Sequence, residues 1–546
     1  MPIIAQVIGG AGTGKTTYLL GVMDKLIDIG ADPMKIGFVS FTKAAVKEAA
    51  DRAGSRFNVD PGVLSRDGYF KTLHAMCYML LDVRSETLIT DDQKSKKWIA
   101  EAIGEKIGNE DESDPFSSHT ESGIALMLWH CARNRLEPYE AAWQRASCTD
   151  ERTPSYSFCR SVVEKYEHYK VLDNKVDFTD LLGSYAGYKF RIDGVEQRPP
   201  RGDVPQVDAW FLDECQDNSA LSDAVARRLS QKSKYVYLVA DPFQAIYGWS
   251  GASPGHFMNW DVLPKNKQIL QQTYRCPSPI IRLGEGILKG CSDYWDRGIK
   301  PAEHSGSVEN DIFNGSWISS VRPDQSWLLI ARTNFQANRI GKRLDALNIP
   351  WRNSGKGNNK WNAPVRHKTI LALLALERGQ AITGDEWLSI LKNIRSRNGK
   401  VYFSRGTKKE WEQKDVSGML TDLEHIADWG GTADFVKLVK THAWRTRIEG
   451  TSEYMEALDQ WGYAATAEPQ VKVGTVHSVK GAEADNVVLL TSISHQILRG
   501  QDSQGGFDEE RRVEYVAVTR AKERLIICNE RNSVKKGMAM MHGMDY

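Results

Sequence analysis

The sequence predicts an α/β protein built on two parallel sheets, each interrupted by a mainly helical insertion. Three observations carry this. Short apolar runs alternate with helical periodicity from the N-terminus onward. That alternation gives way to long polar helical stretches over residues 83–175 and again over residues 364–468. It resumes after each interruption. With 546 residues the chain exceeds one ordinary domain, and a scale of about 150 residues per domain suggests three or four.

Residues 3–8 read as a buried strand and residues 15–29 as a helix, joined by a Gly-rich loop at 9–14. A second strand, Ile36–Ser40, precedes a helix over 44–53. Strand character returns at Ala209–Leu212 and Tyr235–Ala240, each followed by acidic residues, and at 327–330. Residues 354–363 form a Gly/Asn-rich break. The tryptophan-bearing helical stretch 364–468 follows, and strands at 471–476, 486–490 and 524–528 close the pattern. The sequence has no internal repeat or low-complexity tract.

Composition excludes several classes. Hydrophobic residues make up 41% and charged residues 26%, which suits a globular protein and not a disordered chain. Net charge is +1, so the total gives no sign of a polyanion binder and leaves that question to local fields. No apolar run reaches the ~20 residues needed to span a bilayer, and no signal peptide opens the chain. The eight cysteines lack any Cys-x-x-Cys pair and read as reduced thiols of a cytoplasmic protein.

The strongest chemical signal is the run Gly9, Gly10, Ala11, Gly12, Thr13, Gly14, Lys15, Thr16, which matches G-x-x-x-x-G-K-[ST] between a strand and a helix. Glycines let backbone N–H groups approach phosphates, and the helix N-terminus favours negative charge. Lys15 would reach the β- and γ-phosphates of ATP, and the Thr16 hydroxyl would ligate Mg²⁺. Thr17 completes the phosphate-side set. A second element must supply a metal carboxylate and a base. The run 210–217 delivers Asp213 and Glu214 from the end of an apolar strand, where ligands sit in open α/β sheets. Asp213 suits the Mg²⁺ shell, and Glu214 suits activation of water.

These elements, with others in order along the chain, resemble the UvrD/Rep-type branch of superfamily 1 DNA helicases. The stretch 38–45 resembles motif Ia, 71–76 motif Ib, 213–217 motif II, 240–252 motif III, 271–275 motif IV, 473–483 motif V and 510–521 motif VI. The segment 176–182 resembles the re-entry into the first motor domain, and 328–344, with Arg332 and Asn334, the strand and helix that follow motif IV. The resemblance implies two RecA-like motor domains: residues 1–83 with 176–265, and residues 266–357 with 469–546. It implies helical insertions at 84–175 and 358–468.

The resemblance also implies roles. Gln244 would sense the γ-phosphate, Arg275 and Arg520 would act as arginine fingers, Tyr274 would stack on adenine, and Gly481 and Glu483 would line the nucleotide site. Phe41, Thr42, Lys43, Thr72, His74, Tyr247, Trp249, Asn334, Thr475 and His477 would meet single-stranded DNA, with Trp249 stacking on a base. Cofactors are then ATP and Mg²⁺. Partners are single strands and single-strand/duplex junctions, with accessory replication or repair proteins, and the chain is expected as a monomer in bacterial or phage-host cytoplasm. The expected activity is 3′ to 5′ translocation with unwinding. A protein-stripping translocase is the alternative, and a scaffold with a dead motor is a third reading.

The sequence departs from the family pattern in places. Only eight residues precede Gly9, so the upstream glutamine segment that contacts adenine is not expected, and Gln6 is not assigned that role. Ser250 stands where the family usually has arginine, and Thr17 where it often has a basic residue. About 25 residues follow Ala521, room for a small duplex-splitting hairpin at most. Translocation is therefore a firmer expectation than strong unaided unwinding.

Overall fold

The structure is a computed structural model and describes residues 2–105, 120–354, 361, 364–396 and 399–529. Most of the expected break at 354–363, part of the first helical stretch and most of the C-terminal segment after 528 lie outside the described residues. The chain forms two compact units: Met1–Phe313 with Val476–Tyr546, and Asn314–Thr475.

The first unit holds a six-stranded parallel sheet. Its strands run, edge to edge, Tyr69–Thr72, Ile36–Ser40, Ala209–Leu212, Tyr235–Ala240, Ile3–Gly9 and Lys267–Leu270. Adjacent strands pair in parallel, with Ile8 opposite Ala240 and Phe38 opposite Phe211. Such a sheet is covered on both faces, which is why its central strands read as unbroken apolar runs. Side chains alternate across it with period two. Val7, Phe38, Phe211 and Val239 enter one core with Leu19 and Met23 of the helix Lys15–Asp28. Ile8, Val39, Leu212 and Leu238 enter the opposite core with Leu181 and Leu221.

The same unit carries the helices Gln93–Ile103, Glu121–Arg135, Tyr139–Thr149 and Tyr156–Leu172, packed on Trp129, Tyr139 and Val163. This is the expected helical texture. An antiparallel hairpin, Tyr188–Arg191 with Gly194–Gln197, follows and was not expected from the sequence. Three more parallel strands, Ser307–Ile312, Ala521–Asn529 and Ala484–Leu490, lie side by side. The helix Ser278–Leu288 packs on Gln504–Val518.

In the second unit, Trp327–Ala331, Val471–Thr475 and Arg352–Asn353 form parallel pairs. The rest is mainly helical, from Pro364–Glu377 to Thr451–Ala467, which breaks its helical geometry at Gly462. The tryptophans are its core. The Trp387 ring meets Phe403, Trp429 and Phe435 edge-on, and Trp351 and Trp361 both donate to Asp345 Oδ1 at 2.9 Å. Buried indoles need a partner for the N–H; Trp387, Trp351 and Trp361 have one, whereas among the described residues the buried Trp327 Nε1 has none.

The α/β class with parallel sheets and helical segments is therefore observed. Among the described residues no helix is long and apolar enough to cross a membrane, and no three or more His, Cys, Asp or Glu side chains gather as a metal cluster. All eight cysteines are free.

Candidate nucleotide and nucleic-acid sites

The glycine loop leaves Ile3–Gly9 at the end of the sheet and enters the helix Lys15–Asp28 through Gly14, whose φ of 75° is left-handed. Gly12 is left-handed too, at φ 67°, and a Cβ there would stand 2.3 Å from the Cβ of Arg275. Glycine is thus required twice over, by backbone conformation and by close approach. The Lys15 ammonium donates to the carbonyls of Gly9 (3.1 Å) and Gly10 (3.2 Å), and Thr13 Oγ1 donates to Gly10 O at 3.0 Å.

The loop is docked onto distant segments. Thr273 Oγ1 donates to Ala11 O (2.7 Å), the Tyr274 N–H donates to Gly12 O (2.9 Å), and the Ala11 N–H donates to the Tyr515 hydroxyl (3.3 Å). This docking sets the expected residues Tyr274 and Arg275 against the loop. The Tyr274 ring is 73% exposed beside Gly14 and is free to stack. Thr16 is half-buried and Thr17 exposed.

Asp213 and Glu214 follow the strand Ala209–Leu212, and Glu214 takes a left-handed φ of 54°. Non-glycine residues held there store strain and cluster at functional sites. The Glu214 N–H donates to Asp213 Oδ1 at 2.9 Å, and Gln216 Nε2 donates to the Glu214 carboxylate. Burial, with Glu214 beside it, pushes the Asp213 carboxyl up to about 7. Burial acts in the same direction on Glu214, but Lys15 and Lys480 outweigh it and hold that carboxyl below the glutamate range. The charge of Lys15 therefore reaches both acids. A half-buried hydroxyl at Thr16 and a buried carboxyl at Asp213 are hard oxygen donors, the set that suits Mg²⁺.

Gln244 is buried. Its Nε2 donates to Asp241 Oδ2 (2.9 Å), and its Oε1 accepts from Arg520 at 3.5 Å. Arg520 is 1% exposed and also donates to the carbonyls of Val516 (2.9 Å) and Ala482 (3.1 Å). Burial, with Arg275 nearby, lowers its pKa to about 10, which leaves it charged at neutral pH. Arg275 pairs with Glu483 (2.5 Å) and donates to Thr519 O (3.3 Å). Glu483 also pairs with Lys522 at 2.7 Å. Gly481 takes a left-handed φ of 83° in this segment. The first unit therefore gathers Lys15, Asp213, Glu214, Gln244, Arg275, Glu483 and Arg520.

Two charged residues in this constellation carry no role that the sequence predicted. Lys480 is half-buried between Asp217, at 2.6 and 2.5 Å, and the Gln244 carbonyl, at 2.7 Å. Arg297 is fully buried, pairs with Asp241 (2.5 Å) and Glu285 (2.7 Å), and lies over the rings of Phe243 and Tyr515. Lys480 stands inside the segment that resembles motif V and could have been singled out there. Arg297 lies in no such segment, and in sequence it resembles any surface arginine.

The expected DNA residues fall into three groups. Phe41 is 48% exposed and stacks on Tyr247 (5.8 Å, 12°), which in turn meets His477 at 5.7 Å and lies under Lys480. Trp249 is half-buried in the short turn Gly248–Ser250, and its indole Nε1 is buried without a hydrogen-bond partner. His74 packs edge-on against Phe178. Thr42 and Thr72 cap the helices Lys43–Phe57 and Leu73–Leu80, accepting from the N–H groups of Ala45 and Ala75, while Lys43 is exposed at the start of the first. His477 is buried, with Nε2 on Ile246 O at 3.0 Å. Thr475 and Asn334 belong to the second unit, the former buried in its strand and the latter opening the helix Asn334–Ala346.

Comparison with known proteins places this geometry. The UvrD/REP helicase N-terminal domain model matches residues 4–262, and the UvrD-like helicase C-terminal domain model matches residues 453–532. ATP-dependent DNA helicase PcrA of Leuconostoc citreum is 22% identical, over 96% of this chain and 79% of its own length. A probable DNA helicase II homolog of Rickettsia felis is 22% identical, over 95% of this chain and 89% of its own. PcrA of Bacillus subtilis strain 168 is 21% identical, over 98% and 82%. Two models of one family match the chain in the expected order, and the relatives run along nearly all of it: the chain belongs to the UvrD/REP helicases, with two RecA-like domains, and is a DNA helicase and ATPase.

Proposed function

We propose that this helicase moves 3′ to 5′ along single-stranded DNA and unwinds duplex, driven by Mg-ATP hydrolysis between its two RecA-like domains. The observation that carries this is the gathering of Lys15, Asp213, Glu214, Gln244, Arg275 and Arg520 in one compact unit. Lys15 and the loop N–H groups bind the β- and γ-phosphates. Thr16 and Asp213 would hold Mg²⁺, which when bound neutralises developing phosphate charge. Glu214, kept ionised by Lys15 and Lys480, takes the proton of the attacking water. Arg275 and Arg520 stabilise transition-state charge, and Gln244, held between Asp241 and Arg520, reports the γ-phosphate to the rest of the unit.

On the DNA side, Phe41, Tyr247 and Trp249 offer rings to the bases, while Thr42, Lys43, Thr72, His74, Asn334, Thr475 and His477 complete the proposed track. The proposed division is residues 1–83 with 176–265, an insertion at 84–175, residues 266–357 with 469–546, and an insertion at 358–468. The polarity rests on the family resemblance. Strand displacement on 3′-tailed and 5′-tailed duplexes tests it: displacement from the 5′ tail alone refutes it. A Lys15→Ala protein that keeps full DNA-stimulated ATPase activity refutes the nucleotide site.

A second reading, a translocase that strips bound proteins and unwinds weakly, is favoured by Ser250. Its hydroxyl is turned onto the Tyr247 carbonyl (2.8 Å) and offers no cation to the strand. Unwinding at the rate of translocation would count against it.

A further inference from the structure

The outer edge of the six-stranded sheet carries a surface pocket of about 830 Å³, walled by the helix Lys43–Phe57, the edge strand Tyr69–Thr72 and the helix Leu73–Leu80. We infer that this pocket is a nucleotide-holding subsite for the DNA strand, taking one base against its apolar floor and the adjoining phosphate on its cationic rim. The inference rests on the strand-binding reading above and extends it to residues that reading leaves out.

The floor is Val46, Phe70, Tyr78 and Met79, with Phe70 only 2% exposed. The rim holds Lys43, Lys47, Arg66 and Lys71 against the single carboxylate of Asp82. An apolar concavity of several hundred Å³ with a few converging charges is the usual form of a small-ligand site, and base plus phosphate matches both halves.

The rim is organised to receive an anion. Lys71 Nζ is fixed by the carbonyls of Ser65 and Arg66, so its charge is held in place by neutral groups. Lys47 pairs with Asp51 (2.7 Å) and Arg66 with Asp67 (2.9 Å), but these pairs are exposed. Exposed pairs contribute little and exchange readily for a phosphate. Among the described residues Lys43 has no ion-pair partner. Lys43 and Thr72, expected on the DNA track from sequence alone, both line the pocket, which makes it continuous with that track.

The test is fluorescence anisotropy of the full-length protein with labelled oligothymidine, titrated across salt, on wild type, the Lys47→Ala/Arg66→Ala double variant and Met79→Trp. Melting temperatures confirm folding. The double variant should weaken binding several-fold and flatten the log K against log salt slope by about 0.7, the share of the one phosphate that the rim no longer neutralises on a single strand. Met79→Trp fills the floor. It should weaken binding to the ordinary strand and leave binding to an abasic strand unchanged, while wild type should bind the abasic strand less tightly than the ordinary one. If Met79→Trp fails to fold, the double variant and the abasic strand on wild type decide the matter.

Unchanged affinity and slope in a folded double variant overturns the subsite. Thymidine monophosphate binding wild type as tightly as the oligonucleotide would assign the pocket to a free nucleotide and overturn the strand assignment. Failure of wild type to bind any single strand would instead defeat the parent reading, and is distinguished by having no affinity to lose.

Discussion

Removal of Arg297 is the sharpest test of how the nucleotide site is held together. This guanidinium is fully buried, with Asp241 equally buried at 2.5 Å and Glu285 at 2.7 Å. Burial opposes its charge, and Asp241 and Tyr515 more than offset that. In Arg297→Met the carboxylate of Asp241 keeps donors from Phe243 N (3.1 Å), Gln244 Nε2 (2.9 Å) and Tyr515 Oη (3.3 Å), but loses its counter-charge. Breaking one side of a buried ion pair costs about 3–5 kcal/mol. At ~2 °C per kcal/mol for a unit of this size, the first thermal transition should fall by about 6–10 °C.

A second substitution separates stability from catalysis. Arg297→Met/Asp241→Leu removes the fully buried pair and leaves only the partly exposed Glu285 without its arginine; replacing a buried pair by apolar groups is about neutral. The double variant should recover most of the lost melting temperature. It should not recover ATP hydrolysis, because Gln244 loses the acceptor that orients it. The assays are a thermal melt followed by tryptophan fluorescence and steady-state ATPase with saturating oligothymidine. Wild-type melting in the single variant, or wild-type turnover in the double variant, refutes the reasoning.

Other predictions follow from the same geometry. Arg520→Lys should lower kcat for DNA-stimulated ATPase by about 10³-fold with little change in KM, since a lysine cannot span the Val516, Ala482 and Gln244 acceptors together; a loss below tenfold would exclude a finger role. Gly12→Ala should weaken nucleotide binding, because the new Cβ meets Arg275 at 2.3 Å and φ is +67°. Strain of about 1–3 kcal/mol corresponds to roughly 5–150-fold in Kd, measured with a fluorescent ATP analogue. Burial pushes the Asp217 carboxyl up to about 7 from an ordinary 3.8, against the pull of Lys480. Between about pH 4 and 7 the folded unit keeps a proton that the unfolded chain has released, so this group's contribution to stability falls as pH rises through that window. The melting temperature of Asp217→Asn relative to wild type should therefore climb from pH 5 to pH 7.5, and a flat difference would disprove the assignment.

The parallel strands were legible because a sheet covered on both faces needs continuous apolar runs. The expected strands at 36–40, 209–212 and 235–240 coincide with the observed ones. The edge strand Tyr69–Thr72 and the hairpin at 188–197 were not, since short half-exposed strands carry mixed residues that match no period. The phosphate loop was legible because its glycines answer a local backbone demand. The partners that dock it were not: Thr273 and Tyr515 act through single hydrogen bonds made across the fold, which leave no local pattern. Thr42 and Thr72 stand where an N-cap belongs, so the same residue type that suggests a phosphate contact also serves the helix that begins there.

The bond from Ala11 to Tyr515 spans 504 residues of sequence. At translation speeds of roughly 5–20 residues per second, about 25–100 s separate the emergence of the two partners from the ribosome. The loop is made long before its clamp. A nascent chain therefore carries an unclamped nucleotide loop for that whole interval, until the helix Gln504–Val518 that bears Tyr515 is made. Slow codons or pausing between these two segments should lengthen the interval without altering the folded product.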